Sequence, residues 1–345
     1  MKKIWFWVRL GLSAGLVAVL LLSVDFQDFL SHLTQVHPVY LLVAFLIAMA
    51  DRVIMAYKWN ILLAAKSIRI SLMHATGIYL TSSFLGLFLP ATVGGDAVRA
   101  FGVAREGYEA KDVVSSILIE RLFGIIALLV FVLLSIVISI FTLGSVFFDS
   151  ISQLFWIFLI LFAALMILTV VSLNKAILTR GSSWIKGHFN KILEIKLVRK
   201  LREVYESYLS YEQNKAVLGA FLLLSFVENL FPIFMSYLLS LAFGMEIPLL
   251  YFFILVPIVL VLVRIPISID GIGIQEGTYV YFFALVGLMK SDALLLGIAA
   301  HVMAVVSILP GGILYGYYGL ELPKKAAEKP AVTADSISAV PGQRD

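Results

Sequence analysis

Long apolar runs constrain this chain more than any other feature of it. Residues 39–63, 113–141, 151–173 and 216–243 each reach the roughly 20 residues that carry an α-helix across a bilayer. Hydrophobic residues make up 61% of the chain and charged residues 14%, against about 25% charged in a typical soluble domain. A water-soluble globule of 345 residues cannot bury that excess. The sequence therefore predicts an all-α, polytopic transmembrane helix bundle and excludes a soluble enzyme with a single tail anchor.

Lys and Arg placement sets the topology. Lys2, Lys3 and Arg9 precede an apolar run over residues 10–24, read as an uncleaved first span. Residues 25–37 lack Lys and Arg and are expected outside; Lys58, Lys66 and Arg69 mark a return to the cytoplasm. Residues 174–215 hold nine Lys or Arg and four Glu. Apolar residues Ile192, Ile195, Leu197, Val198, Leu201 and Val204 recur there at roughly helical spacing. This segment reads either as a basic amphipathic helix on the membrane surface or as a solvated connector. The expected organisation is an N-terminal transmembrane half (1–173), a basic cytoplasmic linker (174–215), a C-terminal transmembrane half (216–320) and a disordered cytoplasmic tail (321–345), with both termini in the cytoplasm.

Two segments are apolar yet interrupted. Residues 71–89 are followed by a break at 90–95 and then by Arg99, Arg105 and Lys111. A re-entrant hairpin entering from the cytoplasm satisfies both ends. Residues 249–263 lead into a second break containing Gly271 and Gly273, and the apolar run after it, 278–289, covers only about 18 Å as a helix. This second hairpin is expected to enter from outside, giving two inverted halves. Paired interruptions of this kind point to a transporter's substrate site.

The charged residues at membrane depth are the candidates for function. Gly94 and Gly95 allow positive φ or close backbone approach, Asp96 is a candidate N-cap, and Arg99 is expected in the first turn of the helix that follows. A helix N-terminus beside an Arg is an anion site; the alternative is a capped loop with Arg99 as a topology charge. Glu276, just after Gly271 and Gly273, either complements a helix dipole or carries a proton or counter-charge. Asp270 reads as a cap. Glu120 and Arg121 lie about 10 Å into their span. Glu120 is expected to meet Arg52 or Arg99, and Arg121 to meet Glu276; a purely structural inter-helix pair is the alternative. Asp51 and Arg52 fall mid-span, Lys58 and Trp59 suit an interfacial belt, and Glu228 precedes Pro232 by one helical turn. His74 and His301 appear isolated, and His32 and His37 are a weak pair in a loop.

Cysteine is absent, which excludes disulfides, thiolate metal sites and a thiol nucleophile. No P-loop run, triad or metal-ligand spacing is present, so no cofactor is expected. Several motifs nonetheless occur in order over about residues 40–315: Arg52 with Trp59 and Leu62-Leu63, Pro90 with Gly94-Gly95-Asp96 and Arg99, Glu120-Arg121, Pro266-x-Ser268 with Gly271-x-Gly273 and Glu276, and Pro310-Gly311. In these the chain resembles the flippase-like integral membrane family (UPF0104 type) related to the transmembrane domain of lysylphosphatidylglycerol synthase, the N-terminal half of the multiple peptide resistance factor. Asp270 and Gln275 depart from the family's pattern of Asn or Gly and of Arg at these places, which bears on substrate charge.

The resemblance implies a two-fold inverted fold with re-entrant helices and a lipid-translocating role, without the soluble aminoacyltransferase activity of bifunctional relatives. The leading expectation is a flippase or scramblase of a prokaryotic inner membrane for a lipid with an anionic head group. Arg52, Arg99 and Arg121 would hold phosphate, and Glu120 and Glu276 would balance charge. Alanine at Arg99 or Glu276 is expected to abolish transport and leave folding intact. Membrane lipids are the expected partners, with a homo-oligomer or a cytoplasmic partner at the basic linker also open; nucleic acid is not expected. The alternatives are a membrane enzyme or subunit acting on a lipid-linked substrate, and a scaffold recruiting a partner through residues 174–215.

Overall fold

The computed structural model describes residues 15, 19–20, 36–89, 93–173, 196–265, 267–268 and 270–319. Most of the expected first span and of the loop after it, residues 174–195 of the linker, Pro90, Pro266 and the tail lie outside the described residues. Every regular element among those described is helical. In chain order they are α1 (Pro38–Ala64), α2 (Leu72–Phe88), α3 (Val93–Arg105), α4 (Ala110–Thr142), α5 (Gly144–Leu173), α6 (Lys196–Leu209), a 3₁₀ turn (Ser210–Gln213), α7 (Lys215–Ala242), α8 (Leu249–Val263), α9 (Ile274–Ala284) and α10 (Lys290–Tyr318).

Five of these, α1, α4, α5, α7 and α10, are long and apolar enough to cross a membrane. The others fall short: α2 has 17 residues and α8 has 15, about 26 and 23 Å against a hydrocarbon core of about 30 Å. The side chains explain why a bilayer is required. Trp156, Ile157, Ile160, Ile167, Leu168 and Val170 on α5 all face outward, so this helix is apolar on its exposed face as well as its packed one.

The same pattern of lengths occurs twice. A long helix (α1, α7) leads to a hairpin of two short helices (α2–α3, α8–α9), then to another long helix (α4, α10). The two sets are interleaved. α1 packs most extensively on α7, and α10 packs on both α9 and α2. Small residues permit the closest crossings. A Cβ on Gly95 would stand 2.9 Å from the Ser82 carbonyl oxygen, where α3 folds back on α2. One on Gly311 would stand 2.1 Å from the Leu80 carbonyl oxygen, where α10 crosses α2. This accounts for Gly94-Gly95 and Pro310-Gly311: Gly94 and Gly95 are helical, and they provide close approach, not positive φ.

Helix α6, within the basic linker, docks on α4. Its inward residues are Ser207 and Tyr208, while Leu201 stays exposed. Tyr205 stacks on Tyr208 at 6.0 Å and donates to the Ser172 carbonyl (2.7 Å). Lys66, in the loop after α1, donates to the Ser207 carbonyl, Ser207 Oγ (2.7 Å) and Ser210 Oγ (2.5 Å). Among the described residues, α6 turns a tyrosine and serine face to the bundle.

Candidate functional site

Helix α3 begins at Val93, so Asp96 lies within its first turn and Arg99 in its second. Asp96 therefore does not cap α3; its carboxylate points across to α4. Arg121 grips it with two bonds, Nε to Oδ2 at 3.0 Å and Nη2 to Oδ1 at 2.9 Å. Arg99 donates to the same Asp96 (2.7 Å) and to Glu120 Oε2 (2.8 Å). Tyr79 of α2 donates its hydroxyl to the other Glu120 oxygen (3.1 Å). The guanidinium of Arg99 also lies over the rings of Trp59 (5.0 Å) and Tyr79 (4.6 Å). Trp59 is itself fully buried and donates its indole N–H to Ser116.

Burial separates the roles of the two arginines. The Arg99 side chain is 3% exposed and is paired with two acids, Asp96 and Glu120, so it is a structural hub. The Arg121 side chain is 51% exposed and reaches open space. Of the two partners expected for Glu120, the structure selects Arg99. Arg121 meets Asp96 and not Glu276. Arg99 is buried among its partners, so its removal is expected to cost stability as well as any transport.

Arg121 opens onto a polar cavity of about 250 Å³. At about 30 Å³ per water this holds roughly eight waters, the scale of a lipid head group without its chains. Its wall includes Arg52, Tyr79, Ser82, Ser83, Gly95, Asp96, Arg99 and Arg121 from the first repeat, and Asp270 and residues of α10 from the second. Both interrupted segments therefore meet at one site. Arg52 is held by Asp51 (3.6 Å) and donates to Ser307 of α10 (3.2 Å). Arg264 is the C-cap residue of α8.

Gly271, Gly273 and Glu276 stand behind the cavity wall. The turn after α8 needs positive φ at Asp270 (51°), Gly271 (80°) and Gly273 (82°), a conformation that Gly adopts freely and Asp tolerates better than most residues. Glu276 then accepts the Gly273 backbone N–H at 2.6 Å, which stabilises the start of α9. Its second oxygen lies 3.1 Å from His301 Nδ1 on α10, and Asp270 lies 3.7 Å from Nε2 of the same ring. So His301 is not isolated, and Asp270 faces both the ring and the cavity. His74 also has a partner, Glu106 at 2.5 Å.

Lys58 is the other departure from expectation. It is buried, not interfacial: it pairs with Glu228 of α7, donates to Ser225 (3.0 Å), and lies over Phe221 (4.8 Å). A lysine near the end of a span normally signals the interface, and only the α1–α7 contact turns this one inward. Tyr79 and Ser82 gave no advance signal, because a lone polar residue in an apolar helix has no spacing to distinguish it.

Fold and site together define an all-helical membrane protein in which two broken hairpins meet at a polar, arginine-lined cavity. Residues 6–312 match the family described as the lysylphosphatidylglycerol synthase TM region. The chain belongs to this family. It is similar to a UPF0104 membrane protein of Methanothermobacter thermautotrophicus, 22% identical over 332 residues, covering 91% of this chain and 95% of the relative. It is also similar to a UPF0104 membrane protein of Pyrococcus horikoshii, 23% identical over 335 residues, covering 91% and 96%.

Proposed function

We propose that this protein is a translocator, not an enzyme, that moves a lipid with an anionic head group between leaflets of a prokaryotic cytoplasmic membrane. The observation that carries the reading is Arg121. It is a half-exposed guanidinium opening into a head-group-sized cavity, in a molecule whose outer surface is apolar. Its charge is only partly spent, because Asp96 also serves Arg99. A phosphate entering the cavity exchanges with Asp96 for Arg121 and meets Arg52, which lines the same cavity. The acyl chains remain in lipid; an apolar cavity of about 500 Å³ between α5 and α9 offers them a path along the second hairpin.

In this reading α2–α3 and α8–α9 are re-entrant and return to the face they leave. Three spans, α1, α4 and α5, then lie between the start of the first repeat and the start of the second, so the second repeat runs opposite to the first; with the expected first span, both termini are cytoplasmic. The cavity at the meeting of the hairpins is reached from alternate faces.

The test is leaflet exchange in proteoliposomes with labelled phosphatidylglycerol, phosphatidylethanolamine and a polyprenyl phosphate. Exchange selective for one lipid class and reduced at least about tenfold in Arg121→Gln, with folding retained, supports the reading. Equal exchange by wild type and Arg121→Gln, or no exchange of any lipid, refutes it.

A further inference from the structure

The two repeats build the same contact with different cations. In the first, Asp96 in the opening turn of α3 is bound by Arg121 on α4, 25 residues later. In the second, Glu276 in the opening turn of α9 faces His301 on α10 at the same spacing. Both contacts join the second short helix of a hairpin to the long helix after it, across a turn closed by Gly107 or Gly287. A guanidinium is charged at every physiological pH, whereas imidazole, with an ordinary pKa near 6.5, changes charge between pH 5 and 8. The first hairpin is thus tied to its neighbour by a permanent cation and the second by a switchable one.

The surroundings of His301 agree with this. Asp270 approaches Nε2 and Glu276 approaches Nδ1, both from the second hairpin. Tyr279, also on α9, is the remaining ionisable group beside Glu276, and its hydroxyl is bonded to Ser236. Of the other helices packed on α10, α1 brings Asp51, Arg52 and Lys58, α2 brings His74 and Tyr79, and α7 brings Lys215 and Glu228. Among these only Arg52 bonds α10, at Ser307.

Resting on the translocation reading, we propose that His301, Asp270 and Glu276 form a proton-binding latch that couples protonation to the position of the second hairpin's turn. The protonated ring sets one positive charge between the two carboxylates, 3.1 Å from Glu276 and 3.7 Å from Asp270. Loss of the proton to cavity water removes that charge and leaves two negative carboxylates facing a neutral ring. Glu276 is anchored by the Gly273 N–H. Asp270 is half exposed, lines the cavity and holds a positive φ that few residues adopt. It is the group that leaves, and the turn moves with it. The latch is held while the ring is protonated and is released as rising pH removes the proton.

Because the chain contains no cysteine, one spin label can report on the turn. Ile267→Cys places it on a half-exposed residue there. In proteoliposomes between pH 5.5 and 10, label mobility should rise along a single titration curve, and lipid exchange should rise at least about threefold with it. His301→Arg should keep the label immobile throughout. Asp270→Asn, at a half-exposed position, should keep it mobile and serves if His301→Arg does not fold. His74→Gln, at the second imidazole–carboxylate pair, should leave the titration in place. A label that does not titrate in the wild type, or a titration that survives His301→Arg or disappears in His74→Gln, overturns the proposal. The label needs no substrate, so the two readings fail separately: a titrating label without lipid exchange refutes translocation alone, and pH-independent exchange over a static label refutes the latch alone.

Discussion

Arg99→Ala is the most informative single perturbation of the bundle. The side chain is 3% exposed and joins Asp96, Glu120, Trp59 and Tyr79. Its removal leaves Glu120, itself buried, with only the Tyr79 hydroxyl. Breaking a buried ion pair from one side costs about 3–5 kcal/mol, because the surviving charge stays desolvated. Asp96 retains both bonds from Arg121, so the orphaned charge is Glu120 alone and the loss belongs at the lower end, about 3 kcal/mol. Removing both partners, as Arg99→Met with Glu120→Leu, should recover most of it, since an apolar replacement of a buried pair is often neutral or better. Unfolding by SDS in mixed micelles measures both. A single variant within about 0.5 kcal/mol of wild type, or a double variant no better than the single, would refute the assignment of Arg99 as a charge hub.

Lys58→Met should destabilise by a similar amount, about 3 kcal/mol, and adding Glu228→Leu should restore stability; the same micelle titration reads both. Gly311→Ala, whose Cβ would stand 2.1 Å from backbone of α2, should cost about 1–3 kcal/mol or more, whereas Gly124→Ala, with open space around it, should be neutral or mildly stabilising by thermal aggregation in detergent. Burial holds the Lys66 pKa below its ordinary 10.5. The unfolded chain therefore binds more protons between the lowered value and 10.5, and stability rises with pH across that window. Lys66→Met should flatten this rise, as followed by protease protection of α6.

The sequence by itself determined the class of fold. Apolar runs of bilayer length cannot be hidden from lipid, and the breaks ahead of Gly94-Gly95 and at Gly271-x-Gly273 cannot continue as ordinary spans, so a helix bundle with two interrupted hairpins was legible in the one-dimensional pattern. The charged candidates were legible too, because a charge inside an apolar run needs a reason to be there. Their roles were not. Arg99 and Arg121 look alike in sequence, and only the folding of α3 onto α2 and α4 buries one and opens the other to the cavity. Lys58 lies at the turn of a span where an interfacial anchor belongs, and only its contact with α7 makes it half of a buried pair. His301 has no ligand-like neighbour along the chain; Asp270 and Glu276 reach it because α9 folds back on α10. Helical periodicity says which face of a helix a residue occupies. Which face meets which depends on crossings set by Gly95 and Gly311, where backbones approach too closely for a side chain, and those distances exist only in the assembled bundle.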